Sequence, residues 1–139
     1  MKKIFQIIFI TLIISFPLQA KTQYLEEGIN LYKIKKFKEA KFKFEKDIVF
    51  NPRSELSYLY LSKIFKNLDK KKLQEQNLDT VILLNPKNEE AIFNLAILKL
   101  ESSDYKRSKE LNERLQSLCT NFCKKSKKLK IEIENLSKK

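Results

Sequence analysis

Residues 51–86 read NPRSELSYLYLSKIFKNLDKKKLQEQNLDTVILLNP, one stretch with an Asn-Pro pair at each end. Asn51-Pro52 and Asn85-Pro86 stand 34 residues apart (85 − 51), and after each pair the chain restarts the same succession. A helix with an apolar stripe comes first, then a short polar turn, then a second helix that stops at or near an Asn or Pro. Proline cannot continue a helix, so each pair closes one unit. A fixed period of this length marks a stacked array of small helical hairpins rather than one irregular globule.

Outward from that stretch, the first unit carries Tyr24, Leu25, Gly28, Ile29, Leu31 and Tyr32 at helical spacings on its helix A. Lys35-Lys36 marks the turn, and Phe37, Ala40, Phe44, Ile48 and Val49 follow on helix B. The second unit sets Leu56, Leu59, Leu61, Ile64 and Phe65 on A, turns at Asn67-Leu68-Asp69, and continues with Leu73, Leu78, Val81, Ile82 and Leu84 on B. In the third, Ala91 to Leu100 form A, Ser102-Ser103-Asp104 the turn, and Tyr105, Ser108, Leu111, Leu115 and Leu118 lie on B. Ser103 or Asp104 suits the N-cap, since either side-chain oxygen can accept an orphan helix N–H. Gly28, Ser62 and Ala96 fall 34 residues apart, at one repeated position where a larger side chain would hold paired helices apart.

These residues resemble the tetratricopeptide repeat, whose pattern is a large and then a small residue on helix A, aromatic and small residues on helix B, and a closing proline. The first unit matches with Tyr24, Gly28, Phe37, Ala40, Phe44 and Pro52. The third gives Leu95, Ala96, Tyr105 and Ser108 without the proline. The second gives Tyr58, Leu61, Ser62, Leu78 and Pro86, but Lys71 and Gln74 stand where an aromatic and a small residue are usual. The resemblance spans Lys21–Phe122. It implies an all-α fold of three stacked antiparallel hairpins (21–54, 55–88, 89–122) with residues 123–139 as a lysine-rich capping helix or tail. Phe122, Leu129, Ile133 and Leu136 give residues 119–139 an apolar stripe, as an array's terminal element requires.

Residues 1–20 have the layout of a secretory signal: Lys2-Lys3, an apolar run from Ile4 to Phe16, Pro17, then Ala20 as the residue at the cut. An exported, periplasmic protein is expected, with retention as an inner-membrane anchor the alternative. Cys119 and Cys123, the only cysteines, then suggest a disulfide. In a continuous helix their geometry would be poor, whereas a break between repeat and cap would let them pair.

The formal net charge is +12, with 29 basic residues against 17 acidic. Only Arg53, Arg107 and Arg114 are arginines, so the surplus is lysine, which solvates surfaces more than it recognises phosphate. No nucleic acid is expected. The rival to capping is a cell-envelope surface protein that binds anionic lipid or polymer, with membrane-surface contact through the C-terminal lysines. With no histidine and one glycine, His-based catalysis, His metal ligands and phosphate-cradling glycine loops are all excluded. No enzyme activity, cofactor or metal is expected.

The resemblance implies function as well as fold. In that family the A helices line a groove that receives the partner. The corresponding residues here are Leu25, Ile29, Tyr32, Lys33, Leu59, Lys63, Lys66, Asn67, Phe93, Ile97 and Leu100. An apolar floor with basic groups in the middle would suit a peptide or protein partner with apolar and acidic residues. Leu25 and Ile29 occupy the first positions of the carboxylate clamp some members use, so that mode is not expected.

Overall fold

The computed structural model describes residues 22–138. The expected signal at 1–20 and the final Lys139 lie outside them. Seven helices follow in order: α1 Gln23–Lys33, α2 Phe37–Phe50, α3 Glu55–Asn67, α4 Lys71–Leu84, α5 Glu89–Glu101, α6 Tyr105–Leu118 and α7 Cys123–Leu136. They pair as α1–α2, α3–α4 and α5–α6, each hairpin packs on the next, and α7 packs on α6. The architecture is all-α, three antiparallel hairpins and a terminal helix, as the 34-residue period requires.

Local chemistry sets the boundaries. Thr22, Asn88 and Asp104 cap α1, α5 and α6 by accepting from the N–H three residues on. Every A-to-B turn contains one residue in the left-handed region: Lys35, Asp69 and Ser103, with φ of 62°, 51° and 60°. They lie 34 residues apart, like the Asn-Pro pairs. Each forms the same closure, as in Lys36 N–H to Leu31 O (2.9 Å) and Lys35 N–H to Tyr32 O (3.0 Å).

The apolar residues separate into two cores. One joins Leu25, Ala40 and Phe44 of the first hairpin to Leu61, Ile64 and Phe65 of α3. The other joins Leu59 and Leu78 to α5, α6 and the Leu129 and Ile133 of α7. Helix α3 therefore faces both ways. Tyr60 stacks on Phe44 at 5.0 Å and meets the edge of Tyr32 at 5.0 Å, which fastens the first two units together. Gly28 lies against the same Phe44, and a Cβ there would come within 2.7 Å of the ring.

Buried polar groups tie the units where apolar contact is thin. Asp47, fully buried in α2, accepts from Ser57 of α3 and from Thr22 at the start of α1. Asn112 and Ser126, both buried, bond reciprocally at 2.8 and 3.2 Å and hold α7 on α6. With Leu129 and Ile133 in the core, the stripe of α7 is spent on the array, while Lys124, Lys125, Lys127, Lys128 and Lys130 stay exposed.

Candidate functional site

A groove requires the A helices to present side chains jointly, and the sequence-expected residues divide three ways. Tyr32, Lys63, Lys66 and Asn67 come together around one cleft of about 130 Å³, centred on the C-terminal half of α3. Leu25, Leu59 and Leu100 do not line it: they are buried to 4%, 4% and 6% exposure. That corrects the expected apolar floor. The reason is packing, for each of the three faces the neighbouring helix of a core rather than the open side. Ile29 and Ile97 are half-buried against the two cores, and Lys33 is exposed.

Phe93 has a further fate. Its ring lies 5.4 Å from that of Phe122, and Lys125 sits over both rings, at 5.6 and 4.4 Å. The start of α7 thus covers Phe93 and removes it from the open side of α5.

Three cleft residues were not expected from the sequence: Ser62, Gln74 and Asn94. Gln74 had signalled itself only as a departure from the repeat pattern. It is buried to 4% exposure on α4, while Lys71, the other departure, is exposed. Ser62 turns its hydroxyl back to Leu59 O at 2.7 Å. The charge in the cleft is smaller than the sequence implies. Lys63 pairs with Glu90 at 2.8 Å across the α3–α5 boundary and lies 4.9 Å from the Tyr60 ring centre. Lys66, exposed at the rim, has no ion-pair partner among the described residues. A second hollow, about 170 Å³ between α6 and α7, is edged by Lys109, Glu113, Lys130 and Glu134, whose charges offset one another.

At the far end of the array Cys119 and Cys123 form a disulfide, with Cα atoms 5.2 Å apart. The helix breaks between α6 and α7, and the intervening amides turn toward α5. Glu89 accepts there from Thr120, Asn121 and Phe122 N–H and from the Thr120 hydroxyl, at 2.6 to 3.0 Å. Hydrogen bonds from Thr120 first, then the backbone amides, hold the Glu89 carboxyl down at about 2. Glu55, 34 residues earlier, performs the same task on its own following turn by accepting from Asn85 and Asn88. Nothing in the local sequence around Glu55 or Glu89 announces this, since both partners lie some 30 residues away.

Among the described residues no group of three or more His, Cys, Asp or Glu is placed to hold a metal ion. None of their helices is long and apolar enough to cross a membrane.

No protein-family profile matches the sequence, and no curated protein does. Solved structures match the fold closely. The Yersinia enterocolitica type III secretion chaperone SycD, in complex with a peptide of the translocator YopD, superposes with a TM-score of 0.74 at 17% identity, over 87% of this chain and 99% of that one. The first TPR domain of Spaghetti (RPAP3), bound to the HSP90 peptide SRMEEVD, gives 0.75 at 17% identity over 88% and 99%. The TPR2B domain of yeast Sti1, in complex with pHsp70, gives 0.75 at 12% identity over 83% and 99%. The chain has the tetratricopeptide-repeat fold.

Proposed function

We propose that this protein is an exported adaptor that captures a peptide or protein partner along α1, α3 and α5, as part of an envelope assembly. The observation that carries the reading is the cleft on the middle unit. There Tyr32, Lys66, Asn67 and Asn94, from three successive A helices, stand around one opening. The similar structures that hold peptides support a binding role for this surface. The Cys119–Cys123 disulfide supports an oxidising compartment such as the periplasm.

Capture from the protein's own envelope tests it. The full chain should retain a partner that Lys66→Glu loses, because a carboxylate there reverses the cleft cation that has no ion-pair partner among the described residues. Unchanged capture by Lys66→Glu would overturn the groove assignment. Membrane contact through the C-terminal lysines is separable by deleting residues 124–139. The adaptor reading expects a less stable array, and lost vesicle binding with unchanged stability favours the rival.

A further inference from the structure

The irregular helix of the second unit has a specific consequence. Where the first and third units place Ala40 and Ser108, α4 places Gln74. Ala40 has no polar group to satisfy, and Ser108 donates to Ala96 O at 2.7 Å within its own hairpin. Gln74 has no such outlet: it is 96% buried (100 − 4), yet no hydrogen bond reaches its amide from the described residues. No side-chain nitrogen or oxygen sealed from solvent among those residues lacks a partner. The accessible remnant of Gln74 is therefore its amide tip, and that tip opens into the cleft it shares with Lys66, Asn67 and Asn94.

The geometry points to a recognition subsite in which the Gln74 amide, in one cleft with Asn67 and Asn94, reads the carboxamide of an Asn or Gln side chain on an extended peptide. The inference rests on the groove reading above and narrows it. Gln74 offers one acceptor and two donor hydrogens, and a group entering a narrow cleft must satisfy both kinds. A carboxamide does so. A carboxylate only accepts, which leaves Gln74 Oε1 without a donor, and an alkyl group satisfies neither atom. Each orphaned buried atom costs about tenfold in affinity.

Charge bears on that choice. Glu90 already neutralises Lys63 at 2.8 Å, and the rest of the lining apart from Lys66 is uncharged: Tyr32, Ser62, Asn67, Gln74 and Asn94. A space of about 130 Å³ admits one short side chain. The position that repeat packing usually gives to a small residue is here a polar reader.

The test is an NMR titration of the 15N-labelled full chain, watching the side-chain amide signals of Gln74, assigned by their loss in Gln74→Met. The probes are the N-acetyl N-methylamides of asparagine, aspartate and leucine. The asparagine probe should move the Gln74 signals and saturate about tenfold more tightly than the other two. Gln74→Met, similar in volume, should erase the preference; Asn94→Ala, in the same lining, should weaken it and serves if Gln74→Met does not fold. Equal responses to asparagine and leucine, a preference for aspartate, or a preference surviving Gln74→Met would each overturn the subsite. Partner capture separates this from the groove reading: capture lost in Lys66→Glu but unchanged in Gln74→Met removes the subsite alone. Asparagine selectivity in a chain whose capture ignores Lys66→Glu keeps the subsite and removes the groove assignment.

Discussion

Glu89 and Thr120, 31 residues apart, are joined by two hydrogen bonds to one carboxylate oxygen, from the Thr120 N–H at 2.7 Å and from its hydroxyl at 2.6 Å. The bonds close the third unit as Asn85 and Asn88 close the second around Glu55. In the second unit Pro86 stiffens the turn; in the third, where no proline stands, the Cys119–Cys123 disulfide encloses it.

Acid should loosen this end of the array. The folded carboxyl of Glu89 lies at about 2, below its ordinary value of 4.5, so its contribution is present above about pH 4.5 and lost as pH falls toward 2. Glu27, drawn down by its bonds from Lys43 and Gln23, acts in the same direction. Thermal melts from pH 6 to pH 2 should show a falling Tm in that window. Glu89→Gln should start lower at pH 6 and fall less. Parallel curves would show that the loop contacts add nothing.

Breaking the disulfide should act on the same loop. Cys119→Ser with Cys123→Ser, or reduction of the wild type, should cost about 2 kcal/mol, the chain-entropy value for a ring of about five residues. Combined with Glu89→Gln the losses should be less than additive, because an open loop no longer aims its amides at the carboxylate. Denaturant melts of the four variants give the coupling directly.

Gly28→Ala should destabilise by about 1–3 kcal/mol, since the added Cβ would meet three atoms of the fixed Phe44 ring at 2.7 to 3.0 Å. The equivalent Ala96→Gly lacks that clash and should lose about 2 kcal/mol, from helix propensity together with the loss of a fully buried methyl. Chemical denaturation would rank the two, and a benign Gly28→Ala would show that Phe44 can move.

Ser103→Gly should stabilise by about 0.5–1 kcal/mol. Ser103 holds φ at 60°, where a Cβ is strained and glycine is not. Lys35→Gly should behave alike, and Asp69→Gly less so, since aspartate tolerates this region better. A rise in Tm for the first two and little change for the third is the expected pattern.

The sequence by itself determined the repeat, the helix boundaries and the turns. Those depend on proline, caps and apolar spacing, which act within a few residues and leave their trace in order along the chain. Tyr32, Lys63, Lys66 and Asn67 were named as a group by the resemblance to the repeat family, once the register was known. Only the tertiary structure decided which faces remained open. Leu25, Leu59 and Leu100 look like groove residues until neighbouring helices cover them, and Phe93 until Phe122 does. Lys63 looks like a free cation until Glu90 reaches it from the next unit, and Gln74 like a flaw until it is found lining the cleft. Burial and charge pairing are properties of surfaces brought together, and a period along the chain specifies that they meet without specifying what each side chain then touches.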